Sequence, residues 1–181
     1  MKLILLTCPQ CNEPLKPENE DVVTVCPQCQ QIYQLSNQGL QPLNAHFMSG
    51  GQTLAKEWLP YWVFQGQVNV SQRESQGGGS GSGKAAEQLW SVPRLLYVPA
   101  WELPMNRVQE IGGQLIQQQP ALNAVEKPAA FRLRPAVITA QDAEKMLEFI
   151  ILAIEARRED YLKSLTFKMK LGEPQMWALP G

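Results

Sequence analysis

From Trp58 onward, hydrophobic positions recur with long, regular periods. Trp62, Phe64, Val68 and Val70 fall on one face of a period-2 pattern, and Tyr61, Val63, Gln65, Gln67 and Asn69 fall on the other. That alternation predicts a half-buried strand, with Gly66 as a candidate bulge. Arg94 to Val98 reads as a buried strand closed by Pro99-Ala100-Trp101. Pro104 suits a first helical turn, and Met105, Val108, Ile111 and Leu115 follow at helical spacing up to Pro120. Gly112 and Gly113 weaken that helix by about 1 kcal/mol each. Phe131, Leu133 and Val137 alternate with Arg132 and Arg134, which predicts a third strand. Thr139, with Asp142 three residues on, marks a helix start. Ala143, Leu147, Ile150, Ile151, Ile154 and Tyr161 form its apolar stripe. A last strand places Leu165, Phe167, Met169 and Leu171 inward and Thr166, Lys168 and Lys170 outward. Gly172-Glu173-Pro174 then turns the chain into a short edge piece, Met176 to Leu179.

Before Trp58 the apolar pieces are short. Leu3–Leu6, Val22–Val25 and Ile32–Leu35 are strand-length and bounded by Pro, Asn, Asp or Ser. The division predicted is a small β module over 1–45, a connector over 46–57 and an α+β domain over 58–181. The order in that domain is β, long loop, β, α, β, α, β, a mixed sheet with helices on one face. Gly-Gly-Gly-Ser-Gly-Ser-Gly at 77–83 reads as a flexible loop.

The chain has 181 residues, 44% of them hydrophobic, which suffices for a packed core and excludes wholesale disorder. Sixteen Lys and Arg against seventeen Asp and Glu leave a formal charge of −1, so no overall basic field points to nucleic acid or a membrane surface. The apolar start is too short for a secretory core, and the Met146–Ile154 run is broken by Glu148. A cytoplasmic protein without membrane insertion is expected. There a set of four cysteines favours metal ligands over disulfides.

Those cysteines are Cys8, Cys11, Cys26 and Cys29, in the pattern C-x2-C-x14-C-x2-C. Two intervening residues let both thiolates of a pair turn inward around one knuckle, and Pro9 and Pro27 stiffen the knuckles by fixing φ. Two knuckles supply four sulfurs in a tetrahedron, an arrangement that suits Zn²⁺. A single structural Zn²⁺ is the favoured reading. Iron, redox-active dithiols and disulfides are the alternatives. A catalytic zinc is disfavoured because four thiolates leave no position for water.

With these knuckles, residues 1–45 resemble the zinc-ribbon superfamily, in particular its rubredoxin-like members. The resemblance implies a small antiparallel β fold with Cys8, Cys11, Cys26 and Cys29 as ligands. It implies no activity, because ribbons serve nucleic-acid binding, protein binding and plain cross-linking alike. Leu59-Pro60-Tyr61-Trp62 and Tyr97-Val98-Pro99-Ala100-Trp101 resemble segments of uncharacterised bacterial zinc-ribbon proteins.

Charge then narrows the partner. Residues 1–45 hold Lys2 and Lys16 against Glu13, Glu18, Glu20 and Asp21. A thiolate-bound Zn²⁺ makes this module more acidic, about −3 with a charged amino terminus, which repels a phosphate backbone. No nucleotide fingerprint, Walker A or Gly-x-Ser-x-Gly motif is present. His46 reads as a surface or packing residue. The aromatics Trp58, Tyr61, Trp62, Trp90, Tyr97 and Trp101 read chiefly as core, with an exposed protein-binding patch as the alternative. Arg132, Arg134, Lys163, Lys168 and Lys170 would form a basic patch if the third and last strands were neighbours. The function expected is a non-enzymatic interaction or adapter module within a protein assembly. The alternative is a nucleic-acid-associated accessory factor for transcription or replication, which would use the ribbon together with the Arg- and Lys-bearing strands.

Overall fold

A computed structural model describes residues 6–49, 57–77 and 81–181. The apolar piece at Leu3–Leu6 lies largely outside these residues, as do the centre of the connector and three residues of the Gly/Ser loop.

The fold is α+β. β1 (Val23–Val25), β2 (Ile32–Ser36) and β3 (Gly39–Pro42) make an antiparallel three-stranded sheet. Val25 pairs with Ile32, and Ser36 with Gly39. β3 had no signal in the sequence, because Gly-Leu-Gln-Pro carries a single apolar side chain. The hairpin turn is set by Gly39 at φ 100°, where a side chain would be strained.

The larger sheet is built on β5 (Trp58–Gln76), a strand of 19 residues. Its first half lies between β6 (Arg94–Pro99) and β9 (Gln175–Pro180). β4 (Ala45–Met48) joins β9 in parallel, and the two-residue β7 (Ala124–Val125) closes that edge. Residues 46–48, read as connector, are thus sheet. The second half of β5 pairs with β8 (Tyr161–Leu171). Gly66 faces both Arg94 of β6 and Leu171 of β8, so β8 lies on the same side of β5 as β9.

Several expectations are corrected. No bulge falls at Gly66. The register shifts lie between Val70 and Gln72 and between Glu74 and Ser75. Gly66 is needed for space, since a Cβ there would sit 2.8 Å from the Leu171 side chain. The C-terminal piece is a central strand of the sheet and not an edge, because both β5 and β4 bond to it. Residues 131–137 form no strand. Their backbone makes single bridges, Leu133 with Trp58 and Ala136 with Val23. Gly81–Trp90 is a helix, α1, so the Gly/Ser stretch ends inside helical structure. Its C-terminal half supplies the anchors, Ala86 and Trp90, both buried. Tyr161 is not part of the helical stripe. It begins β8 and is 73% exposed.

α2 (Met105–Gln118) and α3 (Ala140–Ala156) follow their periodicity. α3 starts where its cap signal lies, with Thr139 Oγ1 accepting from the Asp142 N–H at 3.1 Å. Gly112 admits the sheet: a Cβ would meet the Tyr97 carbonyl oxygen at 2.8 Å. One core runs from β5, β6 and β9 to α2 and α3, and it includes Val23 and Ile32 of the small sheet. All six strand-flanking aromatics, Trp58, Tyr61, Trp62, Trp90, Tyr97 and Trp101, are buried in it. They present no aromatic patch to a partner.

Candidate metal centre

The two Cys-Pro-Gln-Cys segments adopt the same turn. Cys8 C=O accepts from the Asn12 N–H at 2.8 Å, and the Cys8 N–H donates to Glu13 C=O at 2.8 Å. Cys26 C=O accepts from the Gln30 N–H at 3.0 Å, and the Cys26 N–H donates to Gln31 C=O at 2.9 Å. Asn12 and Gln30 follow the second cysteine of each pair, and both are left-handed, at φ 59° and 58°. That reversal sends the chain back past its own thiolates, so each pair points to one side. Gln30 adds a side-chain bond to Pro27 C=O at 3.1 Å.

The knuckles face each other. The sulfur atoms of Cys8, Cys11, Cys26 and Cys29 all lie within 4.8 Å of one another. Cys8 Sγ is 3.6 Å from Cys29 Sγ, and Cys11 Sγ is 3.5 Å from Cys26 Sγ. All four are free thiols at spacings too long for a disulfide bond of about 2 Å. A tetrahedral ion with metal–sulfur distances of about 2.3 Å holds its ligands about 3.8 Å apart. The four cysteines therefore form a site that can hold one metal ion. Cys8 and Cys26 are fully buried, and Cys11 and Cys29 are partly so.

The electrostatics call for a cation. Burial pushes the Cys8 thiol up, but the Tyr33 hydroxyl and the backbone N–H groups of Cys11 and Gln10 outweigh it and bring it down to about 6. Cys11 gains from the backbone N–H of Glu13, yet burial and the neighbouring sulfurs push it up to about 12. Burial also raises Cys29. A thiolate at one sulfur opposes a second beside it, and a cation bound between them would offset that repulsion.

Tyr33 is the site residue that sequence reasoning missed. Its hydroxyl lies 3.3 Å from Cys8 Sγ, and that bond with burial pushes its own pKa up to about 12. The signal was present in β2, where Ile32 and Tyr33 must point to opposite faces. Ile32 enters the large core and Tyr33 enters the small one, with Cys8, Leu15 and Cys26. The centre is thereby one residue away from the body of the protein. Backbone bonds fix the same junction: Ala136 C=O accepts from the Val22 N–H at 2.7 Å, and Lys127 Nζ donates to Gln30 C=O at 3.2 Å.

The other candidates separate. His46 stacks on Trp177 of β9, with ring centroids 4.9 Å apart, and is not part of the four-cysteine cluster. Arg132 and Arg134 pair with Glu57, and Arg134 lies over Trp101. They sit by Trp58, at one end of β5, whereas Lys168 and Lys170 lie opposite Asn69 and Gln67. About 30 Å of strand divides them, so the five cations form no single patch. A cleft where the small sheet meets the body is lined by Glu18, Glu20, Asp21, Trp101, Glu102 and Arg134.

No family model, curated protein or solved structure matches this chain. No described helix is long and apolar enough to cross a membrane.

Proposed function

We propose that the four cysteines hold one structural Zn²⁺ in a zinc ribbon, and that the chain is a non-enzymatic adapter within a cytoplasmic protein assembly. The observation that carries the reading is the closed sulfur set, with all four Sγ atoms within 4.8 Å and two of the cysteines fully buried. Four thiolates complete a tetrahedral zinc and leave no position for substrate or water, so the ion's work is to hold shape. Four reduced cysteines suit the cytoplasm. The adapter role is supported by apolar side chains left on the helical face, with Met105 42%, Phe149 49% and Leu152 38% exposed. The test is purification of the chain at its native level, with metal analysis and sizing. One zinc per chain in a stoichiometric complex with another protein is the expected result. A chain that travels alone at 20.3 kDa overturns the adapter role.

A further inference from the structure

The large sheet protects its edges unevenly. Beyond β6, the Gln119 side chain takes the place of a strand: its Oε1 accepts from the Leu95 N–H at 3.0 Å and its Nε2 donates to Leu95 C=O at 2.9 Å. Beyond β4, the edge strand β7 is two residues long. On the far half of β5, α1 meets one side at Gln67, whose Nε2 donates to Trp90 C=O at 2.6 Å, and a cleft separates the helix from β5 beyond that point. The sheet's other long edge is β8, with 11 residues and about 35 Å of strand. Among the described residues only β5 pairs with it.

β8 and β9 run end to end along β5, which makes them a controlled comparison. β9 has β4 on its outer side, and Met176, Trp177, Ala178 and Leu179 are all buried. β8 has no outer strand among the described residues, and its inward row of Leu165, Phe167, Met169 and Leu171 is only half-buried, although it packs on the same core. The row is one strand short of the cover that β9 enjoys. The position is defined by the sheet itself, since it continues the line of β4. The chain leaves that line at Leu43, whose N–H donates to Ile32 in the small sheet.

The opposite face of β8 selects the occupant. Lys163, Lys168 and Lys170 are exposed there, and Tyr161–Leu171 contains no carboxylate. A second copy of β8 would bring three more lysines and no carboxylate to the same face, and like charges on neighbouring strands repel. We infer that the outer edge of β8 receives an extended segment of a partner protein, added as a strand. That segment carries Asp or Glu at alternate positions against the lysines and apolar residues against Leu165, Phe167 and Met169. Main-chain bonds supply the affinity in this mode and the alternating side chains supply selection. The inference rests on the adapter reading and gives it a surface.

The test uses the full zinc-loaded chain and two labelled octapeptides, one alternating Glu with Val and one alternating Lys with Val. The Glu peptide is expected to bind at least about tenfold more tightly. It should slow hydrogen exchange at alternate amides of β8, those not bonded to β5. K168E/K170E should reverse the preference, and that gain for the Lys peptide shows that the variant is folded. Methylation of the Glu peptide's alternate backbone nitrogens should abolish binding. Failure of β8 protection, an unreversed preference, or equal binding of the methylated peptide each overturns strand addition. So does a single-stranded oligonucleotide that displaces the Glu peptide, which would assign the lysine face to phosphate. The adapter reading fails separately, if the native chain has no partner. If the native complex forms but survives K168E/K170E, the edge is wrong and the adapter stands.

Discussion

Residues 6–43 and residues 57–181 are held together by different forces. In the body, β5, β6, β9, α2 and α3 share a continuous apolar core. In the ribbon, the separate core is Cys8, Leu15, Cys26 and Tyr33. Burying a large apolar side chain contributes about 1.5–3 kcal/mol, and ordering each backbone residue costs about 1–2 kcal/mol. Leu15 and Tyr33 fall far short of offsetting that cost, so on the proposed reading the small region depends on a bound ion and on Val23 and Ile32, which it shares with the body. The difference teaches where a small core needs help from outside its own apolar side chains, the help that the proposed metal would give. It also shows that two such regions are joined where adjacent residues of one strand face opposite ways.

The sharpest way to break the comparison is to take away the metal, whose affinity in such modules is on the order of 10 kcal/mol of folding energy. A strong chelator, or Cys26→Ser, should strip hydrogen-exchange protection from β1–β3 and leave that of α3 and β5 in place. Loss of protection throughout would show that the body leans on the ribbon more than the contacts imply.

The body has its own polar anchor. Glu155 is fully buried and receives Trp90 Nε1 at 2.9 Å, Arg73 Nε at 2.9 Å and Arg158 Nη2 at 2.7 Å. Arg73 also makes a two-pronged bond to Asp160, at 2.6 and 2.9 Å. Glu155→Ala leaves these donors unpaired and should cost about 3–5 kcal/mol in denaturant unfolding, with zinc content unchanged. Gly112→Ala, which drives a methyl group against the Tyr97 carbonyl and Ile150, should cost about 1–3 kcal/mol by the same measurement.

Acid should separate the regions without mutation. Thiolates lose their metal as protons compete for sulfur. The Arg73 guanidinium beside Asp160 holds its carboxyl well below the usual carboxylate range. Glu155 is opposed by burial, but Arg158, Trp90 and Arg73 keep it low as well. Both folded values lie below the unfolded ones, so their contribution is present above the unfolded value and is lost only as pH falls toward the folded one. Zinc release is therefore expected at higher pH than unfolding of α3, followed by metal titration and circular dichroism. The smallest effect is a gain: Gln30→Gly relieves a left-handed position and should raise ribbon stability by up to about 1 kcal/mol, less the Gln30 side-chain bond to Pro27.

Much of this was legible in the residues. The cysteine spacing located the cluster, the periods of 2 and 3.6 found β5, β8, α2 and α3, and an apolar run closed by Pro99 found β6. α1 was hidden because its Gly-Ser-Gly opening argues against a helix, and Ala86, Leu89 and Trp90 secure it by packing. β9 was read as an edge because a strand covered on both faces shows no alternation. The segment 131–137 alternates like a strand, yet its backbone is spent on single bridges to Trp58 and Val23. The lysines of β8 were visible from the start. Which strands they neighbour was not, because pairing is set by segments far apart in the sequence.

The central claim is best tested by X-ray absorption at the zinc edge on the purified chain, together with the metal-to-protein ratio. One zinc per chain with four sulfur neighbours at about 2.3 Å is the result predicted. A chain without bound metal whose β1–β3 amides stay protected in chelator, or a zinc with oxygen or nitrogen in its shell, would contradict it.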